Sequence, residues 1–221
     1  MGPEAITYHT DEAGYQWARF SPEQWLRELK VPPTLIPASW ESWDWRSTES
    51  LPGIARALRW LRDSWTRETG YWSVLLTAPP GRGKSHLAVA KLRQFLSWYP
   101  ARECAYVRWS QLLRDIKETW DGYGSEATLL EAVESSRFLV LDDLGSEAAE
   151  ADPDSPQWIV QRVFSMLEVR HAHGLPVVIT TNLDRRRITA RYGARLVSRL
   201  REGEIIDLSP LPDHRVGGFH V

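Results

Sequence analysis

The sequence predicts an α/β protein built on a parallel sheet, and three features carry that reading. Ser73–Ala78 is a short, partly β-branched apolar run that passes through Pro79-Pro-Gly-Arg-Gly83 straight into a helical pattern. Arg137-Phe-Leu-Val-Leu-Asp142 is a second such run, apolar until it ends in the paired carboxylates Asp142 and Asp143. Between and beyond these runs, strand-like and helix-like stretches alternate, which implies βαβ crossovers and hence parallel pairing.

Residues 1–20 mix polar and aromatic side chains without clear periodicity and are expected to form a loosely held arm. Ser21-Pro22 supplies an N-cap with proline at the first helical position; Trp25, Leu26 and Leu29 form one apolar face before Val31-Pro-Pro33 ends the helix. The stretch up to Ser50 carries Trp40, Trp43 and Trp45. Buried aromatics usually pack within their own chain, so this stretch reads as a segment draped over the main domain, with a partner-docking surface as the alternative. Six of the twelve tryptophans, Trp17, Trp25, Trp40, Trp43, Trp45 and Trp60, precede residue 61. The expected division is therefore a Trp-rich N-terminal arm over residues 1–50 and a main domain over 51–221.

The main domain opens with an amphipathic helix over Leu51–Thr69, marked by Ile54, Leu58, Leu61 and Trp65 and ending near Gly70. Ser73–Ala78 is the first strand of the sheet. Leu87, Leu92, Phe95 and Leu96 recur at helical spacing over Lys84–Tyr99 until Pro100 stops them. Cys104–Trp109 reads as the second strand, Ser110 caps a helix running to Trp120, and Asp121-Gly-Tyr-Gly124 is a turn. A helix over 126–135, the third strand at Arg137–Asp142, a helix over Pro156–His173, a fourth strand at Val177–Thr181 and a fifth at Glu204–Leu208 complete the alternation.

Composition bounds the class. A length of 221 residues, 43% of them hydrophobic and 25% charged, suits one sizeable core plus an appendage. The formal net charge of −2 excludes an overall basic field, so nucleic acid would have to meet a local patch. The single cysteine, Cys104, excludes an intramolecular disulfide. With no signal-like N-terminus and no apolar run near the roughly 18 residues of a membrane span, a cytoplasmic protein without membrane contact is expected.

The strand-to-helix turn has the chemistry of a phosphate cradle. Pro80, Gly81, Arg82 and Gly83 form a loop whose backbone N–H groups can face a phosphate chain. Lys84 can reach β and γ oxygens, the Ser85 hydroxyl can ligate Mg²⁺ at the helix N-terminus, and His86 follows on the same turn. The spacing matches G-x-x-x-x-G-K-[ST] except that Ala78 takes the place of the first glycine. A tight turn with a solvated lysine is the bland reading; strand, turn and helix in this order argue against it. A phosphate site next needs a carboxylate at the C-terminal edge of a neighbouring strand to hold the Mg²⁺ water shell, and a second to orient attacking water. Asp142 is the metal-side candidate and Asp143 the water-polarising one, with Glu147 next in line.

Gly81-Arg-Gly-Lys-Ser-His-Leu-Ala88, Leu139-Val-Leu-Asp-Asp-Leu-Gly145, Val178-Ile-Thr-Thr-Asn182 and Tyr192-Gly-Ala-Arg-Leu-Val-Ser-Arg-Leu200, in this order, resemble the AAA+ ATPases of the DnaC/IstB type over about residues 50–216. The resemblance implies a P-loop NTPase three-layer fold with strand order 5-1-4-3-2 and no full helical lid. It implies ATP and Mg²⁺ as cofactors. It further implies Asn182 as the sensor-1 residue near the γ-phosphate, Arg199 as an arginine finger reaching a neighbouring subunit's nucleotide in a homo-oligomer, and Arg215 as the sensor-2 arginine. Planar guanidinium groups suit those last two roles, because phosphoryl transfer needs positive charge at the γ-phosphate.

The family resemblance also points to DNA. Between the second strand and Asp142, Arg108, Trp109, Arg114, Lys117, Trp120 and Tyr123 supply charge and stacking surface suited to single-stranded nucleic acid; a solvated helix with core tryptophans is the alternative. Arg185-Arg-Arg187 is a second basic cluster and reads as a solvated helix start. The expected function is a DNA-stimulated ATPase of the replicative helicase-loader type, with slow, regulatory hydrolysis. Only about fifty residues precede the ATPase stretch, less than the helicase-binding domain of DnaC-type loaders, so an IstB-like transposition ATPase serving a transposase is the alternative. A non-hydrolysing nucleotide-gated binding module is the alternative of a different class, since Ala78 and Asp143 both depart from the commonest pattern. A small P-loop kinase would need an acceptor pocket and an arginine-bearing lid, and the Asp142-Asp143 and Thr180-Thr-Asn182 pair argues against it.

Overall fold

The computed structural model describes residues 21–64, 72–146, 157–200 and 202–215, together with the backbone of two short strands ahead of them. Those strands, β1 (Thr7–Thr10) and β2 (Gln16–Arg19), form an antiparallel pair within the stretch expected as an arm. Four residues per strand and no apolar-polar alternation leave little for a sequence pattern to detect. The expected Trp65 and Gly70, Glu147 and the Pro156 helix start lie outside the described residues.

Helix α1 (Pro22–Glu28) starts on a capping box: Ser21 Oγ accepts from the Gln24 N–H, and the Gln24 side chain accepts from the Ser21 N–H at 2.7 Å. A short helix α2 (Trp45–Glu49) is capped by Asp44, and α3 (Pro52–Asp63) buries Ala55, Leu58 and Leu61. The main sheet then alternates with helices: β3 (Ser73–Thr77), α4 (Lys84–Leu96), β4 (Cys104–Arg108), α5 (Trp109–Trp120), α6 (Glu126–Ser135), β5 (Phe138–Leu144), α7 (Gln157–Ala172), β6 (Val177–Thr181), α8 (Arg185–Leu200) and β7 (Glu204–Asp207). Helix α8 is two helical stretches joined at Gly193, whose φ of 82° no helix interior adopts.

The five strands are parallel and lie in the order β4-β5-β6-β3-β7. Counted within the sheet this is 2-3-4-1-5, the expected order read from the opposite edge. Residues of β3 alternate between two cores, as strand geometry requires. Val74 and Leu76 face one core with Leu58, Leu61 and Leu87; Leu75 faces the other with Leu112, Leu167 and Leu196. Leu26, Trp40 and Trp43 belong to the first core, so residues 21–50 pack across the same face of the sheet as α3 and α4. Arg170, fully buried, ties the layers at one end by donating to the carbonyls of Val133 and Pro176 at 2.6 and 2.7 Å.

Candidate functional site

The turn from β3 into α4 is built on two left-handed glycines, Gly81 (φ 83°) and Gly83 (φ 80°). At either one a side chain would displace a neighbour. A Cβ on Gly81 would lie 2.0 Å from Asp213 Oδ1, and one on Gly83 would lie 2.4 Å from the Trp43 ring. Pro80 stands exposed at the tip, and Arg82 turns aside to donate to the Leu211 carbonyl. The His214 N–H donates to the Gly81 carbonyl at 3.0 Å, so the segment 211–215 is stitched along the turn. Beside the turn a cleft of about 440 Å³ is lined by Gly81, Gly83, Lys84, Ser85 and His86 on one side, Ser42, Trp43 and Asp44 on another, and His214 and Arg215 on a third. That volume is in the range of small-ligand sites.

Lys84 is buried, and its ammonium donates to the carbonyls of Ala78 and Pro79 at 2.8 and 2.9 Å. Burial, with Arg215 adding to it, pulls its pKa down to about 8 against the opposing pull of Asp143 and Asp142. The lysine is thus a buried cation on the wall of this cleft, its charge only partly opposed by the two carboxylates. His86 is held by the Ser39 carbonyl at 3.0 Å and by Ser42 Oγ at 3.3 Å; burial lowers its pKa, and the neighbouring His214 acts in the same direction. The Trp43 ring lies between the two imidazoles, with centroids 5.5 Å from His86 and 5.6 Å from His214.

Ser85 joins this cleft to the carboxylate pair. Its hydroxyl donates to Asp142 Oδ1 at 2.8 Å, the same oxygen accepts from Thr180 Oγ1 at 2.6 Å, and Oδ2 accepts from the Tyr106 hydroxyl at 2.6 Å. A serine oxygen and a carboxylate facing each other at the N-terminus of a helix fit a hard divalent cation, which prefers oxygen ligands. Asp143 follows in a left-handed conformation, φ 62°, where the pairing of β5 with β6 shifts register between Leu141 and Leu144. Its carboxylate Oδ1 accepts from Asn182 Nδ2 at 2.8 Å.

The two remaining candidates lie apart. Arg215 lines the cleft and is exposed. Arg199, near the end of α8, is outside it, and its guanidinium is engaged by Glu168 of α7 and by both oxygens of Glu202 at 2.7 Å. Sequence reasoning passed over Trp43, Tyr106, Thr180 and His214. Thr180 sits in the quoted Val178–Asn182 motif, but a strand threonine carries no sign of which carboxylate it will meet. Trp43 lies 40 residues before Gly83 and His214 lies 133 after Gly81, the turn residues they meet, and no local pattern records such separations.

The DNA candidates need one correction. Trp109 is 1% exposed and packs with Leu112, Ile116 and Leu139 in the second core, because it is the first residue of α5 and points under the sheet, so it offers no stacking surface. Arg108, Arg114 and Lys117 are exposed; Tyr123 is 75% and Trp120 58% exposed, with Trp120 edge-on to Trp158 at 5.1 Å. Among the described residues no helix is long and apolar enough to cross a membrane.

Residues 19–197 match the family described as IstB-like ATP binding protein. The chain belongs to that family. No curated protein sequence matches it. Among solved structures this IstB-like chain is similar to the DnaC helicase loader, at 24% identity and a TM-score of 0.60 over 80% of this chain and 99% of that one. It is similar to DnaI at 20% identity and a TM-score of 0.62, over 84% and 94%. It is also similar to the replication initiator DnaA bound to AMPPCP and single-stranded DNA, at 15% identity and a TM-score of 0.60, over 80% and 50%. The chain spans about half the length of a DNA replication initiation factor and of the AMPPCP-bound DnaA from Aquifex aeolicus, 50% and 47%. At such identities the likeness is one of fold, and it agrees with the strand order.

Proposed function

We propose that this IstB-like chain binds and hydrolyses MgATP and couples the cycle to single-stranded DNA and a protein partner, a replicative helicase or a transposase. The observation that carries the reading is the meeting of the Gly81–Ser85 turn with Asp142 through the Ser85 hydroxyl, the contact that a phosphate cradle beside an oxygen-liganded metal would need. The backbone N–H groups of Gly81 and Gly83 and the Lys84 ammonium bind the phosphates. Ser85 and Asp142 hold Mg²⁺, which supplies charge neutralisation at the phosphate oxygens. Asp143, held by Asn182, takes the proton side of the attacking water. Arg215 adds positive charge from within the chain, and Arg199 adds it from a neighbouring copy in a cytoplasmic homo-oligomer.

The DnaC and DnaI likenesses favour a loader of a replicative helicase, and the single-stranded DNA named in a DnaA structure favours that ligand at Arg108, Lys117, Trp120 and Tyr123. The family match over 19–197 favours the second reading, a transposition accessory ATPase with a transposase as partner. Phosphate release from ATP, measured with and without single-stranded DNA, tests what both share. Release that DNA stimulates is expected. A chain that binds ATP and releases no phosphate under either condition would be a nucleotide-gated binding module instead, and pull-down with helicase against transposase then separates the partners.

A further inference from the structure

Asp143 occupies an unusual position. It is a non-glycine residue at positive φ, in a strand whose register slips at that point, so its N–H no longer has its place in the ladder. The N–H donates instead to a side chain, Thr180 Oγ1, at 2.8 Å. That hydroxyl has a single proton, and it goes to Asp142 Oδ1 at 2.6 Å. One buried oxygen, 1% exposed as a residue, therefore links the main chain of one carboxylate residue to the side chain of the other.

We propose that Thr180 is a positioning residue for hydrolysis: its hydroxyl fixes the bulged backbone of Asp143 against Asp142 and so sets where the Asp143 carboxylate stands relative to the metal-side group. The inference rests on the hydrolytic reading of Asp143 given above. Three contacts define the arrangement. Tyr106 holds the far oxygen of Asp142, Asn182 holds the carboxylate of Asp143, and Thr180 joins the two residues in between. Without the Thr180 oxygen, the part-buried Asp143 N–H would lose its acceptor, and the backbone at this point of the bulge would be free to shift. The carboxylate would move with it. Thr181, next in the strand, donates to the Leu144 carbonyl at 2.6 Å and closes the other side of the bulge, so the bulge itself survives loss of the Thr180 hydroxyl.

The test compares Thr180→Val, which keeps the branched shape and deletes the hydroxyl, with Thr180→Ser, which keeps the hydroxyl. The first readout needs no nucleotide: hydrogen exchange at the Asp143 amide is expected to be slow in the wild type and in Thr180→Ser, and at least about tenfold faster in Thr180→Val, because protection follows the closed hydrogen bond. The second is kinetic. Thr180→Val is expected to lose about 10²-fold in kcat, the size of effect that a misplacement near 1 Å produces, with ATP affinity close to wild type. Adding Thr180→Val to Asp143→Asn should cost nothing further, since the threonine acts through Asp143. Wild-type exchange or wild-type turnover in Thr180→Val, beside an inactive Asp143→Asn protein, overturns the Thr180 assignment alone. An active Asp143→Asn protein overturns the reading beneath it. Should Thr180→Val not fold, Thr180→Ala takes its place, and a Thr180→Ala protein matching Thr180→Ser in exchange and in turnover rejects the role.

Discussion

The Ser85 hydroxyl and the Asp142 carboxylate, 57 residues apart in sequence, meet at 2.8 Å. Each belongs to a different strand-to-helix or strand-to-loop corner, and parallel pairing of β3, β6 and β5 brings those corners to one edge of the sheet. Ligands of open parallel sheets bind at that edge, beyond the C-terminal ends of the strands.

Lys84→Ala should remove most ATP affinity and leave the fold intact. Charge-assisted contacts of the ammonium to phosphate are worth about 3 kcal/mol together, or about a hundredfold in affinity. The pH dependence has a definite sign. In the free protein the lysine pKa is down from 10.5 to about 8, and phosphate oxygens raise it again by favouring the charged form. Above pH 8, binding must therefore take up a proton, and affinity should fall as pH rises. Calorimetry in buffers of different ionisation enthalpy measures the uptake; a wild type that binds without it, or a Lys84→Ala protein with wild-type affinity, contradicts the assignment.

Asp143→Asn should bind ATP as the wild type does and lose turnover, because Ser85 and Asp142 still face each other while the proton acceptor is gone. Single-turnover phosphate release separates the two. Asparagine retains the shape and tolerates the left-handed φ of 62°, so a fall in melting temperature large enough to explain the loss is not expected.

Tryptophans of one helix should behave in opposite ways. Trp109→Ala opens a cavity in the second core and should cost about 3–5 kcal/mol, read in a denaturant titration. Trp120→Ala, at the exposed end of α5, should cost about 1 kcal/mol or less and weaken binding of single-stranded DNA. Tyr123→Ala should also weaken that binding, but only Lys117→Ala should flatten its salt dependence, since stacking releases no counterions. Low-salt affinities equal to wild type for all three surface variants would remove this face from DNA recognition.

Arg199→Ala and Lys84→Ala proteins should each be inactive, and their mixture should recover part of the activity. The first keeps a working cradle and lacks the finger; the second has the converse, so mixed interfaces unite a good cradle with a good finger. The charge restored by an arginine finger is worth about 10³–10⁵ in rate. Within one chain Arg199 is held by Glu168 and Glu202, so joining a neighbour's site requires it to exchange those carboxylates for phosphate. Absence of recovery at every mixing ratio would leave Arg199 as an intrachain strut.

Strand alternation was legible because it is a local pattern: β6 runs over Val177–Thr181 and α6 over Glu126–Ser135, as the periodicity predicts, whereas Ser110, expected to cap the helix after β4, lies inside α5, which begins at Trp109. The hydroxyl cage around Asp142 was not legible. Tyr106, Thr180 and Ser85 come from three elements, and only sheet order tells which strand faces which. Trp109 misled for a related reason: an aromatic next to an arginine resembles a stacking surface until the register of β4 fixes which side of the sheet the following helix covers.

Gly81 and Gly83 are each blocked by a neighbour outside the motif, Asp213 in one case and Trp43 in the other, whereas Ala78 is a buried continuation of β3 whose N–H reaches the Thr181 carbonyl at 3.4 Å. The three positions are therefore under different kinds of constraint, although a written motif gives its glycines equal weight. A side chain as small as methyl is admissible at 78, where φ is not positive and the strand has just ended. At 81 and 83 any side chain meets both a left-handed penalty of about 1–2 kcal/mol and an occupied volume. In an inheritable sense positions 43 and 83 form a linked pair and 81 and 213 a looser one: a side chain at 83 requires the buried Trp43 ring to move, whereas one at 81 meets the carboxylate end of Asp213, which can swing aside, even though neither Trp43 nor Asp213 belongs to the signature by which such loops are recognised.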